Sequence, residues 1–569
     1  MKKPSTQHSF SVLYLNLLLI FGAVASAHAE ALHTPSSSVD ENPCSHESRN
    51  TGALIGGLVG LGLSIFGKGD TETKAIATVV GAGVGGLIGN EMDVRRCELE
   101  RIAKTHNLEL LTAEIPGQPE SASNSARPQS ADSKKVDSVG LSVAVIDQSG
   151  GQFQSNSDKL QPEAESAFRD IAKQYSIKQQ MAQLPVGTTA NERRLAEETY
   201  RGKRILLIGH TDDSGSSRLN ADLSERRARA VAKLFYAEGV PAGNIFYQGA
   251  GETLPIADNH DEAGRAKNRR VEIVDAADEK KFQAYLASRK PNVAFYRPAD
   301  NTSLAEDQSA ARQSGTVKKV HTPSSDFAAL PDTPSVLAGV SSVPVASGKT
   351  GKVAGAVGIQ TEGAVRDRET AGFNFGGEPV TGAPPKLDIG AISYNHGFSW
   401  TSLNPIKSAQ AMDDPMAAST SCLADRPRVA NAVKSLHDDK AIKTSEYLAG
   451  LNNTAWAAVV NGHAVALTHV SVLRDGATPV GNPNVLLYRD FDPTKPNQKN
   501  RKADFNGSPD VSVYRGDKGV LYRVFSAGPI RCMDMVIPNS NSASASGSWL
   551  YYQKDGQTYR AAYLAHLAR

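Results

Sequence analysis

An excess of charge of one sign is missing from this chain: 62 lysines and arginines stand against 60 aspartates and glutamates, a formal +2 over 569 residues. A balance that close gives no basic footprint for a phosphate backbone, so nucleic acid is not an expected partner. The sequence also lacks an HExxH signature and a nucleophile elbow, which removes two legible routes to hydrolysis. Paired cysteines or histidines at metal-ligand spacing are missing as well. His210, Asp212, Asp213 and His260 therefore read as cap and turn residues, and neither a metal nor a cofactor is expected.

What is present begins with an export signal. Lys2-Lys3, an apolar stretch from Val12 to Val24 interrupted by Asn16, and Ala27-His28-Ala29 define a signal peptide over 1–29 with cleavage after Ala29. The first cysteine is Cys44 rather than the new terminus, so a lipid anchor is not expected. Loss of Lys2 and Lys3 takes the formal charge from +2 to 0.

Residues 51–90 hold two uncharged runs, Thr51 to Phe66 and Ala75 to Asn90, separated by GKGDTETK. Gly52, Gly56 and Gly60 recur every four residues, as do Gly81, Gly85 and Gly89. Such rows give each helix a smooth face for close backbone packing in lipid, the pattern of a glycine-zipper helical hairpin. A 16-residue helix is about 24 Å long, against about 30 Å for an average hydrocarbon core. A thin outer membrane, flanking residues or homo-oligomerisation through the glycine faces accommodates the shortfall; a soluble glycine-rich tether is the alternative. Neither run contains Asp or Glu, which argues against a proton-driven stator. An antiparallel hairpin brings Cys44 and Cys97 to its open end, where an oxidising compartment allows a bridge. Cys422 and Cys532 remain to staple the C-terminal region, with free buried thiols as the alternative.

The most informative stretch is RILLIGHTDDSGSSRLNADLSERR, Arg204 to Arg227. An apolar strand breaks at Gly209, places Asp212 just past a strand end, and leads into a helix over Asn220 to Glu238. Leu223, Arg227 and Val231 are spaced four apart, which puts Arg227 on a core-facing stripe. A guanidinium there calls for an anionic partner or a ligand, and a simple Asp212–Arg227 pair is the plainest reading. Further strands are expected near Leu141 to Ile146, Asn244 to Gln248 and Arg270 to Val274, with a helix from Pro162. Alternation of helices and strands gives an α+β sandwich with helices on one face.

GHTD at Gly209 to Asp212, Asn220, Leu223-Ser224, Arg227-Ala228 and NRRVEI at Asn268 to Ile273 match, in order and spacing, the OmpA C-terminal family of peptidoglycan-binding domains. The region Leu141 to Asp275 resembles that family, and Phe153, Leu160 and Pro162 stand in for its opening phrase. The resemblance implies a βαβαβ sandwich over 139–280 that grips the diaminopimelate of cell-wall stem peptides through Asp212 and Arg227, with Asn220, Leu223, Asn268 and Arg269 around the same cleft. One carboxylate and one forked guanidinium answer the ammonium and carboxylate of such an amino-acid tip. Arg270 is as readily structural. The stretch LPVGTTANERRLAEETYRGK is longer than a compact version of the domain needs and bears on access to the cleft.

Composition divides the remainder. Residues 114–138 and 291–386, rich in Ser, Pro, Ala and Gly, read as a flexible and a disordered linker, the longer spanning about 55 Å as a coil. Aromatics return from Leu387, and 387–569 reads as a separate mostly β or α+β domain of no recognised family. Thr454 to Val460 and His463 to Val472 flank Asn461-Gly462, a tight hairpin signal. Strand-like runs follow at Val485 to Tyr488, Val511 to Tyr514, Val520 to Phe525 and Trp549 to Tyr552. Helices are expected at Arg428 to Leu436 and Ser445 to Leu451. His396, His437, His463 and His469 are read as structural or binding residues, His463 as exposed beside its turn. The expected whole is a non-catalytic protein of the outer membrane's periplasmic face, tethering membrane to peptidoglycan and presenting its last domain to an envelope partner. A cell-wall hydrolase targeted by its middle domain is the alternative.

Overall fold

The computed structural model describes residues 94–116, 138–146, 151–289, 291–299, 372–392, 420–474, 479–495, 501–539 and 543–568. The signal peptide, the 51–90 hairpin, Cys44 and His396 lie outside them. Among the described residues no helix is long and apolar enough to cross a membrane.

The first unit opens with a helix over 94–106 (α1) and β1 (Glu109–Pro116), then β2 (Ser138–Ile146), α2 (Pro162–Lys173), α3 (Ile177–Ala182) and α4 (Ala190–Gly202). It continues through β3 (Arg204–His210), α5 (Ser217–Ala237), β4 (Ile245–Gly251), α6 (Glu262–Asn268), β5 (Arg270–Ala276) and α7 (Glu279–Ser288). The sheet order is β1-β2-β5-β3-β4, with β3 and β4 parallel and the other neighbours antiparallel. Because β1 pairs with β2, Glu114 to Pro116 belong to the sheet rather than to the expected linker.

Local chemistry sets the helix ends. Pro162 begins α2 with Glu163 and Glu165 in its first turn, favourable beside the helix dipole. Thr189 and Glu192 form a capping box on α4. Gly239, at φ +99°, follows the end of α5 ahead of Val240-Pro241.

Beside the larger Val231, Leu234 and Phe235, a row of small residues runs along the buried face of α5: Ser217, Ala221, Ser224, Ala228 and Ala232. Opposite them lie strand glycines with no room for a side chain. A Cβ on Gly209 would stand 2.1 Å from the Ser224 carbonyl oxygen, and one on Gly249 2.2 Å from that of Ala221. This core stripe runs beside the expected one, so Val231 is buried while Leu223 and Arg227 flank it half-buried.

The sheet is covered on both faces, which corrects the one-faced sandwich. Phe168, Ile171, Val231 and Phe235 of α2 and α5 pack on one side. On the other, Phe282, Tyr285 and Leu286 of α7 pack against Leu206, Ile208, Phe246 and Val274, together with Val433 from far along the chain. The long insertion is an annex: Ala196 and Tyr200 of α4 pack with Leu184, Ile177 and Met181. Its last turn, through the Arg201 carbonyl, accepts from Asn244 Nδ2 at 2.9 Å beside the start of β4, the end of the sheet away from Asp212.

The second unit is a β-sandwich. Its strands are β6 (Glu378–Pro379), β7 (Lys434–Ser435), β8 (Thr454–Val460), β9 (His463–Val472), β10 (Pro479–Val480), β11 (Asn484–Tyr488), β12 (Phe505–Gly507), β13 (Asp510–Arg515), β14 (Gly519–Phe525), β15 (Ile530–Pro538), β16 (Gly547–Lys554), β17 (Gln557–Ala562) and β18 (His566–Ala568). One sheet runs β12-β11-β9-β8-β18 with β10 on β9; the other runs β13-β14-β15-β16-β17-β6. Trp456, Leu467 and Leu487 meet Tyr522, Met535 and Leu550 between them. Phe373 and Phe375, which composition placed in the linker, are buried in that core. The Asn461-Gly462 turn has φ of 48° and 75°, as a tight hairpin requires.

β7 is the exception in this unit, because it pairs antiparallel with β4 and extends the first unit's sheet. The segment around it, 425–436, is an extended strap, which overturns the helix expected at Arg428 to Leu436. Its backbone is claimed by the edge of β4: Asn431 N–H donates to the Gly249 carbonyl at 2.8 Å and Leu436 N–H to that of Ile245 at 2.9 Å. Ser445 to Leu451 is likewise irregular rather than helical, since Leu448 and Leu451 bond to Val472 across the end of β9. Cys422 and Cys532 are joined, with Cα atoms 6.1 Å apart, and fasten the head of the strap to β15. Cys97 is also disulfide-bonded.

Candidate functional site

Asp212 lies two residues beyond β3, with its side chain 13% exposed. Its Oδ1 accepts from Ser214 N–H at 3.0 Å, and its Oδ2 accepts from Arg269 Nη1 at 2.8 Å. Arg269, at the C-terminal end of α6, also reaches Glu262 at 2.9 Å. The plain Asp212–Arg227 pair is thus replaced by Asp212–Arg269. Arg227 is held by other partners: Nε donates to the Ser157 carbonyl at 3.1 Å, and the guanidinium lies 4.8 Å from the centre of the Phe153 ring. The aromatic of the opening phrase therefore seats the arginine of the helix motif.

The remaining motif residues divide by role. Asn220, buried on α5, donates to the carbonyls of Ser214 at 2.9 Å and Asp212 at 3.4 Å and to Glu252 at 2.9 Å, so it ties down the Asp212 loop. Asn268 is fully buried: its amide oxygen accepts from Ile256 and Ala257 N–H, and its nitrogen donates to the Ala257 carbonyl and to Asn259. It shapes the 256–259 loop and presents nothing to a cleft, a correction to its expected place there. Leu223 is half-buried on the flank of α5. Arg270 is buried, donates to the Leu254 carbonyl at 3.0 Å, and is structural.

Beneath the loop, burial sets the protonation. His210 is pushed down to about 4 by desolvation and the neighbouring Arg270, so the imidazole is neutral at pH 7. Burial would raise Glu272, yet His210, Arg270 and the Ser142 hydroxyl at 2.7 Å hold it down to about 2. Asp213 is buried and bound by Arg297 through both carboxylate oxygens, at 2.8 and 2.5 Å. His260 pairs with Asp258 at the surface. Among the described residues no cluster of His, Cys, Asp and Glu could hold a metal.

Two arginines from beyond the first unit reach this loop and a third holds Glu252, the partner of Asn220, and sequence reasoning missed all three. Besides Arg297, Arg426 of the strap donates to the carbonyls of Asp213, at 2.8 Å, and Gly215. Arg428 meets the buried Glu252 at 3.1 Å and stacks 4.0 Å from the centre of the Tyr296 ring. Desolvation raises Glu252 against the pull of Arg426 and Arg428. The sequence signal, RPR at Arg426 to Arg428, ran into a stretch read as helical from Arg428. His463 is a further correction: it is buried, 5.5 and 5.6 Å from the rings of Phe373 and Phe375, which fold back over the hairpin.

Residues 152–269 match the OmpA family model, and that segment is an OmpA-family domain. Outer-membrane lipoprotein YfiB of Pseudomonas aeruginosa is 48% identical over 75 residues, which are 13% of this chain and 45% of that protein. The peptidoglycan-associated lipoprotein of Legionella pneumophila is 42% identical over 77 residues, 14% of this chain and 44% of that one. The chain thus spans less than half the length of these curated relatives. A solved structure, the cell wall anchor of the T6SS from Pseudomonas aeruginosa, is 22% identical, with 32% of this chain and 95% of that chain covered at a TM-score of 0.20.

Proposed function

We propose that this chain is a non-catalytic cell-envelope protein that binds peptidoglycan through its OmpA-family domain and tethers the membrane to the wall. The finer part of the proposal is the ligand: the diaminopimelate tip of a stem peptide, its ammonium received by Asp212 and its carboxylate by Arg227, with Arg269 alongside. One observation carries the reading. In a domain whose family match spans the motif, Asp212 is held at the strand end by Ser214 and Arg269 yet keeps part of its surface open. Relatives over this segment carry names of outer-membrane and peptidoglycan-associated lipoproteins, which supports export and placement at the outer membrane. The membrane hairpin at 51–90, homo-oligomerisation through it and an envelope partner for the β domain complete the proposal. Disulfide pairing of Cys422 with Cys532 supports the non-catalytic reading, since neither is a thiol nucleophile.

The test is sacculus pull-down. Asp212→Ala and Arg227→Ala each remove a charged contact of about 1.5–3 kcal/mol, a loss of roughly tenfold to a hundredfold in binding. Unchanged pull-down by both folded variants overturns the assignment.

A further inference from the structure

We infer that the peptidoglycan site is a two-domain device: Arg297 and Arg426, from outside the OmpA-family domain, are positioning residues that set the Asp212 loop, so wall binding and docking of the C-terminal strap are coupled. The inference rests on the function proposed above and adds its regulation.

The loop from Thr211 to Ser216 has few internal ties. Asp212 caps its own turn through Ser214, and Asn220 holds two carbonyls from α5. Within the same domain Thr211 N–H also donates to the Gly251 carbonyl at 3.0 Å and Arg269 pairs with Asp212 at 2.8 Å, and further ties come from beyond the domain. Arg426, 2% exposed, donates to the carbonyls of Asp213 and Gly215, on either side of Ser214, and Arg297 grips the Asp213 carboxylate with two hydrogen bonds. The buried Asp213 carboxylate and carbonyl, and the half-buried Gly215 carbonyl, would cost free energy without these donors, so a seated strap favours the loop conformation with Asp212 at the strand end.

The strap's seating is in turn specified over its length. Val429 N–H donates to Ser217 Oγ at 2.7 Å at the start of α5, and Lys434 Nζ reaches Glu225 at 2.7 Å. Two elements that share one set of hydrogen bonds are thermodynamically linked, and the linkage is reciprocal. A ligand that favours the ordered Asp212 loop must favour the seated strap by the same factor.

The experiment uses the full chain and a synthetic stem tripeptide ending in meso-diaminopimelate. Calorimetry gives its affinity for wild type, Asp212→Ala, Arg426→Gln and Arg297→Gln, and hydrogen exchange follows the strap amides of Val429, Asn431 and Leu436 with and without peptide. We expect both arginine variants to bind about fivefold to fiftyfold more weakly, and the peptide to slow strap exchange in wild type but not in Arg426→Gln. A purely structural role for these arginines would leave strap exchange indifferent to peptide. Wild-type binding with unchanged affinity in Arg297→Gln and Arg426→Gln, or with no protection of the strap, overturns the coupling alone. Absence of wild-type binding, or binding that Asp212→Ala leaves intact, overturns the function proposed above and the coupling with it. Should Arg426→Gln not fold, Arg297→Gln and the wild-type exchange measurement still decide.

Discussion

Arg269 and Asp212 meet at 2.8 Å across the mouth of the OmpA-family domain, joining the end of α6 to the loop that follows β3. Glu262 holds the other arm of the same guanidinium. The acidic half of the candidate site is therefore already balanced by a cation, which the ammonium of the proposed ligand would have to share or displace.

Arg269 and its neighbour Asn268 should separate binding from stability. Asn268→Ala strips four hydrogen bonds from a fully buried loop support, a loss of about 2–4 kcal/mol in urea unfolding. Arg269→Ala removes a partly exposed pair, with less than about 1 kcal/mol of stability at stake but a changed sacculus affinity. Equal unfolding midpoints for the two variants would contradict this division.

His210 makes the domain acid-sensitive. Its folded value is about 4 against an ordinary 6.5, so between those values the unfolded chain binds the extra proton and stability falls as pH falls. The window is pH 6.5 down to 4, with an upper bound of about 3 kcal/mol. The charged groups around it are Glu272, Arg270 and Arg289; Glu272, held to about 2, adds a loss of the same sign only below its ordinary 4.5. Urea midpoints at pH 7, 5.5 and 4.5 should fall more steeply for wild type than for His210→Asn, and matching slopes would refute the role given to the imidazole.

The Cys422–Cys532 bridge closes a span of 110 residues. Restricting the unfolded chain over that length stabilises by about 3–5 kcal/mol. The double alanine variant should shift the β-sandwich transition accordingly, whereas a shift below about 0.5 kcal/mol would show that packing of Tyr551 around the bridge suffices without the bond.

Legibility in the sequence followed how local the determining chemistry is. Asn461-Gly462 fixes its hairpin because both residues accept positive φ in place. The GHTD strand end and the helix after it were legible for the same reason, and so was Pro162 at the start of α2. Arg428 to Leu436 misled, since its backbone partners on β4 lie far back in the chain and no local period announces an added edge strand. Asn268 misled differently: a motif match gives a residue's position but not whether its amide faces ligand or loop. The Asp212–Arg269 pair was hidden because the two belong to separate motif blocks whose approach only the sheet defines.

The two-residue strand β7 has a mechanical meaning. Because it zips onto β4, with Lys434 and Arg229 anchored alongside to Glu225 and Asp439, a pull between the first unit and the β-sandwich meets paired backbone rather than a slack leash. The load is shared with the Arg218–Asp510 pair and with Val429 on Ser217, so the two bodies are coupled at several points along one seam.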